Sequence, residues 1–393
     1  MDLERIIKNH SDPKKNVKPA ILNLRNQRHH IQFTKLLKKK NINLAVDDYR
    51  EQLKEYFEIK NPSLVFKPDF AEKWKQYLMT EIKKAPLWQQ GRWVYFPWSK
   101  NLVHILEEKK FFAVRTARNR ELITEKEQLA FYRAKLGVAG LSIGSSVVLT
   151  VVLEGGCKHI KIADHDKLAL SNINRIKAGI DYLGAPKTII TARQIYEINP
   201  FARVEIFNDG LTASNIAKFF SGLDIVVDEI DNLAVKYLIR QNAKKNRTPV
   251  VMGADNGDSV VVDIERYDLK PNTVFFHGRM GGLSYKKLIN TDKLTTARLI
   301  TKYVGIENIP VRMAESLLSI GKTIVSWPQL GGTALLNSAI ITYCLLKIVN
   351  KQALINGRCI FSLDEKFGPG YNTIKARSDR QKLIKKLKIN FGI

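Results

Sequence analysis

The sequence predicts an α/β protein organised on a doubly wound, mostly parallel sheet, with an N-terminal α/β appendage and a helical C-terminal part. Two observations carry this. From Lys135 onward short β-branched runs alternate with longer segments of helical period, the pattern of βαβ units. The first run also ends in a glycine turn, Gly140-Leu141-Ser142-Ile143-Gly144-Ser145, that opens straight into a helix. With 393 residues, 45% of them hydrophobic, the chain has enough apolar surface for a full core.

Taken in order, residues 1–110 are Lys-rich, with helical stretches at Phe33 to Lys39 and Asp48 to Glu58. An aromatic cluster follows, Trp88, Trp93, Tyr95, Phe96 and Trp98, broken by Pro97 and expected to cover the main domain. Residues 111–350 form that domain. Its strands are read at Lys135 to Ala139, His159 to Ala163, Val204 to Phe207, Asp224 to Asp228 and Pro249 to Gly253, with Val260 to Tyr267 as a further strand by its alternation. Lys187 to Ile198 and Leu233 to Asn246 have helical period. Ser145 to Leu153 is apolar nearly all round and should lie buried between the sheet and a partner. Leu294 to Val304, Val311 to Ile320 and Gly331 to Val349 read as helices, and residues 351–393 as a basic tail.

The formal net charge is +26, from 64 Lys and Arg against 38 Asp and Glu, concentrated in runs such as Lys35 to Lys40 and Lys375 to Lys388. Such charge suits an RNA backbone or an acidic protein, or a solvated Lys-rich surface with a frayed tail. Met1 to His10 is charged, so no apolar signal core is expected there, and the apolar stretches Val147 to Leu153 and Ala339 to Val349 fall short of the ~20 residues of a membrane span. Cys157, Cys344 and Cys359 share no CxxC spacing, which argues against a disulfide framework or a zinc site. A cytoplasmic protein without a membrane segment is the expectation.

The glycine turn delivers backbone N–H groups to a helix N-terminus, a place for an anion. Three functional readings stay open beside a purely structural turn. It suits a dinucleotide turn with Asp164 as ribose acceptor. It spells GxSxG, a nucleophile elbow at Ser142. It also suits a mononucleotide turn for ATP.

Downstream residues discriminate among these. The second strand ends in Asp164-His165-Asp166, and Ser171-Asn172-Ile173-Asn174-Arg175 follows. Gly184-Ala185-Pro186-Lys187 sets a lysine at a helix start, and Glu197-Ile198-Asn199-Pro200 closes that helix. The fourth strand ends in Asp228-Glu229-Ile230-Asp231-Asn232. These provide an acid for a ribose, Arg and Lys for phosphates, and an acid for a magnesium ion shared with phosphate oxygens. Hydride transfer has no use for the polar cluster ending in Arg175, and a serine hydrolase lacks a placed base, since His277 is the last histidine and the sole one after His165.

In their order these blocks resemble the ThiF/MoeB and ubiquitin-activating superfamily, over Phe111 to Asp268 closely and more loosely to Val349. The resemblance implies a Rossmann-like adenylation domain that takes ATP and Mg2+. It implies that Gly140, Ser142, Gly144, Asp164, Asp166 and Asn172 line the nucleotide site, that Arg175 and Lys187 hold the phosphates, and that Asp231 holds the metal. It implies a homodimer in which Arg118, in the segment Arg115-Thr116-Ala117-Arg118-Asn119, reaches the other subunit's phosphates.

The glycine turn departs from the family pattern at Ser142 and Ser145, and no cysteine lies between Lys158 and Tyr343, where thioester-forming members keep theirs. The expected function is therefore ATP-dependent adenylyl transfer to a carboxylate without an enzyme thioester. The expected substrate is the C-terminus of a small ubiquitin-like or sulfur-carrier protein, for instance one ending in Gly-Gly. The alternatives are activation of a carboxylate on modified tRNA, which would make RNA a partner, and a nucleotide-binding scaffold without turnover.

Overall fold

The computed structural model describes residues 16–39 and 41–392. The charged start Met1 to His10 and the last lysine of the run Lys35 to Lys40 lie outside the described residues. Two compact units divide the chain: residues up to Leu129 together with Ala192–Ala202, and Ala130–Thr191 together with residues from Arg203 onward.

The first unit holds a four-stranded sheet of β1 (Ala20–Leu22), β2 (Leu44–Asp47), β3 (Arg92–Phe96) and β4 (Asn101–Ile105), in the order β1-β3-β4-β2. β2 runs parallel to β4, while β3 is antiparallel to both β1 and β4. The helices Gln27–Lys38, Tyr49–Lys60 and Phe70–Lys84 accompany it. A fully buried His104 pins the sheet. Its ring lies between those of Tyr49 and Trp93 at 4.3 and 4.4 Å, nearly parallel to both, while Nδ1 meets Asp47 and Nε2 meets the carbonyl of Gln90. Trp98 donates its indole N–H to Glu197 at 2.6 Å, and Phe111 packs on Phe201, so the aromatic cluster has its partners inside this unit.

The second unit is built on a seven-stranded sheet of β5 (Lys135–Ala139), β6 (His159–Ala163), β7 (Arg203–Phe207), β8 (Ile225–Asp228), β9 (Val250–Asn256), β10 (Ser259–Glu265) and β11 (Gly357–Ser362). The order is β11-β10-β9-β8-β5-β6-β7. The five strands β7, β6, β5, β8 and β9 are parallel, and β10 and β11 complete the edge antiparallel. This is the expected doubly wound α/β class. The chain runs outward from β5 through β6 to β7, then returns to β8 on the other side of β5. That reversal puts a crevice at the carboxyl ends of β5 and β8, where open α/β sheets bind ligands.

The helix Ile143–Leu153 is buried on nearly every side, as expected, but its cover comes from the same chain. The 19-residue helix Gly331–Val349 packs against it and against β9. Gly331–Val349 is the helix that the sequence predicts, and among the described residues it is the one helix long and apolar enough to cross a membrane, although its apolar run Ala339 to Val349 alone is too short. Its buried face carries Thr333, Asn337, Ser338 and Thr342 and forms part of the core. The expectation of a basic tail is corrected as well. Gly357–Ser362 is the edge strand β11, and the helix Ile374–Phe391 packs on the helix Val311–Ser319, burying Leu387.

Candidate functional site

The glycine turn is fixed from both flanking strands. Gly140 has φ +86°, and a Cβ there would stand 2.4 Å from the carbonyl oxygen of Glu229, so only glycine fits between the ends of β5 and β8. A Cβ on Gly144 would meet Val138 at 2.9 Å, which lets the helix start lie close on the sheet. On the β6 side Asp164, buried, accepts the amide N–H of Leu141 at 2.6 Å through Oδ2 and that of Asp166 at 2.7 Å through Oδ1. A carboxylate has about four acceptor positions, so Asp164 keeps capacity for hydroxyl donors.

Both serines of the turn are engaged within the protein. Ser145 is buried and donates its hydroxyl back to the carbonyl of Ser142. Ser142 Oγ accepts from Nε of Arg175 at 3.0 Å. An arginine cannot serve as a general base, and His277 instead meets Asp263 and the carbonyl of Ile264, so the nucleophile-elbow reading finds no base at Ser142.

The loop after β6 presents the basic groups. Asn172 spends its side-chain oxygen on the amide of Ala169, closing a short 3-10 turn. Arg175 is held by Ser142, by the carbonyl of Ser171 and by Asn174, whose own amide donates to the carbonyl of Gln329 at 2.8 Å. Lys187 opens its helix with its ammonium buried and 2.8 Å from Oδ2 of Asp166. Partial burial alone would raise the Asp166 carboxyl, but the hydrogen bond and charge of Lys187, then His165, bring it below its ordinary pKa. Asp164, His165 and Asp166 also lie close enough together to suggest a metal site. Each carboxylate already accepts part of its complement, Asp164 from two backbone N–H groups and Asp166 from Lys187.

The end of β8 supplies the acids. Asp228 is fully buried between Arg240 and Lys236, and Arg240 also reaches Glu265. Burial would raise Asp228, yet Lys236 and Arg240 hold it below the usual range. Asp231 is exposed to solvent and lines a cavity of the crevice. Desolvation is the largest effect and raises its pKa, against Lys236, Lys187 and Arg175 in that order. Those three cations thus lie within electrostatic reach of Asp231. Asp231 makes no ion pair or side-chain hydrogen bond among the described residues.

The structure thus brings Gly140, Ser142, Gly144, Asp164, Asp166, Arg175, Lys187 and Asp231 to the carboxyl ends of β5, β6 and β8. Arg118 stands on the 3-10 turn Ala117–Asn119 of the first unit, and Asn119 beside it bonds Gln128. Two groups escaped the sequence reading. Lys236 lies on the first turns of the helix Leu233–Asn246. Asp255 lies near the end of β9, with Oδ1 accepting from Asn337 at 3.1 Å and its carboxyl pushed up to about 6 by burial, against Asn337 and Arg175. The rule that ligands sit beyond the carboxyl ends of parallel strands would have nominated Asp255.

Residues 116–277 match the model of the ThiF family. This stretch of the chain is a ThiF-family domain. The chain is 34% identical over 300 residues to the uncharacterized protein MT1398 of Mycobacterium tuberculosis, across 76% of this chain and 42% of that protein. It is 28% identical over 120 residues to the sulfur carrier protein adenylyltransferase of Thermus thermophilus, 30% of this chain and 43% of that one. It is 30% identical over 141 residues to the tRNA threonylcarbamoyladenosine dehydratase of Escherichia coli, 35% of this chain and 53% of that one. The chain spans about half the length of these curated relatives, or less. All three cysteines of the chain are free. Cys157 and Cys344 are buried, with the Cys344 thiol pushed up to about 11 by desolvation and the Cys157 thiol pushed up further, while Cys359 is partly exposed on β11.

Proposed function

We propose that this chain uses ATP to activate a carboxylate as an acyl adenylate. The observation that carries the reading is the placement of Arg175 on Ser142 of the glycine turn and of Lys187 on Asp166, both within electrostatic reach of Asp231, at the switch point of the sheet. Triphosphate oxygens would meet the N–H groups at the start of the helix Ile143–Leu153, and Asp164 on the β6 side would receive the ribose hydroxyls.

In the reaction a carboxylate oxygen attacks the α-phosphorus. A bond forms between them, the bond from the α-phosphorus to the bridging oxygen breaks, and its electron pair leaves with pyrophosphate. No proton moves, because the attacking acid is ionised at neutral pH. Arg175 and Lys187 are already oriented by Ser142 and Asp166, so they stabilise the charge spreading over phosphate oxygens without the reorganisation water requires. Asp231, uncommitted and beside the phosphate-facing cations, fits a magnesium ion held by one carboxylate plus phosphate oxygens. When bound with ATP the ion supplies charge neutralisation of the triphosphate. Arg118 of a second copy completes the phosphate site in this reading.

The similarity to a sulfur carrier protein adenylyltransferase favours the C-terminus of a small protein or peptide as the acid. No cysteine belongs to the site, which supports release of the adenylate to an external acceptor rather than to an enzyme thioester. The test is ATP–pyrophosphate exchange with candidate acids. Exchange should vanish in Asp231→Ala and Lys187→Ala and persist in Cys344→Ala. Tight ATP binding with no exchange for any acid would instead select a nucleotide-binding scaffold.

A further inference from the structure

A cavity of about 230 Å³ opens on the β8–β9 flank of the crevice, on the far side of the glycine turn from Asp164. Its walls are largely apolar: Ile143, Leu233, Met252, Ile300, Tyr303 and Trp327 line it. Four charged groups stand in this lining: Asp231, described above, Glu229, which accepts the amide N–H of Gly253 at 2.9 Å, and Lys236 and Asp255, with distinct commitments. Lys236 pairs with Asp228, an acid that Arg240 already satisfies. Asp255 spends Oδ1 on Asn337, while Oδ2 is buried with no hydrogen-bond partner among the described residues. Asp255 is only 6% exposed, and a buried carboxylate oxygen without a donor is costly unless a ligand supplies one.

The three features match three parts of one molecule. The cation Lys236, next to Asp231 and the phosphate site, suits a carboxylate. The unmatched oxygen of Asp255 suits an N–H or ammonium close to that carboxylate. The apolar walls suit a side chain. An acid ending in glycine would leave the apolar part of the walls unfilled.

We propose that this cavity receives the residue that bears the reactive carboxylate, and that this residue is an α-amino acid or peptide terminus with a bulky apolar side chain whose N–H faces Asp255. The proposal rests on the carboxylate-activation reading and departs from the Gly-Gly end expected from sequence.

The experiment uses the full chain and N-acetylated oligo-alanine peptides ending in glycine, aspartate, leucine or phenylalanine, together with free leucine and phenylalanine. ATP–pyrophosphate exchange is measured for each, with binding of a fluorescent ATP analogue followed in parallel. The apolar ends should exceed the glycine end in kcat/KM by about tenfold or more. Ala254→Phe and, independently, Ile300→Trp narrow the cavity. Each should erase that preference while analogue binding is retained. Exchange in which the glycine end equals or exceeds the apolar ends overturns the proposal and leaves carboxylate activation standing. Analogue binding without exchange for any acid overturns the activation reading, and the cavity assignment with it.

Discussion

Oδ2 of Asp164 accepts the amide N–H of Leu141 at 2.6 Å, so the acid at the end of β6 holds the turn at the end of β5 in its bent form. Asp164→Asn keeps the size but replaces an acceptor by an NH2 group facing a donor. One of its two backbone hydrogen bonds is then lost, for about 1–3 kcal/mol of stability. Urea unfolding should record that loss, and titration with a fluorescent ATP analogue should show weakened binding in the folded variant.

Gly140→Ala tests the same turn from inside. The left-handed backbone and the Cβ clash with the Glu229 carbonyl add, and the loss should reach about 2–4 kcal/mol. Thermal unfolding should record a lowered midpoint, and an unchanged midpoint would contradict this account.

Lys187→Met removes the cation while keeping most of the stem. Exchange should fall by about two to three orders of magnitude, as for loss of one oriented charge-stabilising group. The pairing with Asp166 has its own signature. Asp166 has a pKa depressed in the folded state, so its contribution is present above the unfolded value near 3.9 and disappears as pH falls through the folded value. The half-exposed carboxylate makes this a small effect. Acid unfolding curves of Lys187→Met and its parent should therefore converge only at the acid end, below about pH 4.

Asp255 has the opposite sign. Its pKa is raised to about 6, so the folded state carries a penalty that is absent below pH 3.9, grows as pH rises between there and 6, and is constant above. Asp255→Asn should be more stable than the parent above pH 6 by about 2–3 kcal/mol, with the difference vanishing near pH 4. Denaturant midpoints across that range provide the check. An equal offset at every pH would show that Asp255 is not the titrating group.

Arg118→Ala and Lys187→Ala should each be inactive alone yet complement one another if Arg118 serves the other copy. After mixing, half of the dimers pair the two variants and one of their two sites is intact, which restores about a quarter of the exchange activity. No recovery after verified subunit exchange would assign Arg118 to its own chain's surface.

Much of the second unit was legible because buried parallel strands are written as short apolar runs: β5 and β6 fall where the text places them, as do the helices Lys187–Ile198 and Leu233–Asn246. The site blocks were legible for a related reason, since ligand-facing residues follow strand ends directly. The first unit was not. β1 spans three residues and β2 is exposed along its whole length, so neither has a period to read, and β2 finds its place only by pairing with β4. β11 is a half-exposed edge strand in a basic stretch, and its partner β10 lies about a hundred residues earlier. Lys236 and Asp255 were missed because each reads locally as an ordinary helix or strand residue. Only the crevice gives them a common role.

The placement of β11 has a consequence for how far the chain can be shortened. All seven residues of β10 are buried, with Val260, Val261 and Val262 at its centre, and β11 occupies its outer hydrogen-bonding side. A version stopping before Gly357 would keep every phosphate-facing group yet bare a flat valine-rich ribbon, a template on which another copy can stack. Residues 357–393 are thus a guard against self-association, and expression trials that trim them as dispensable should yield inclusion bodies.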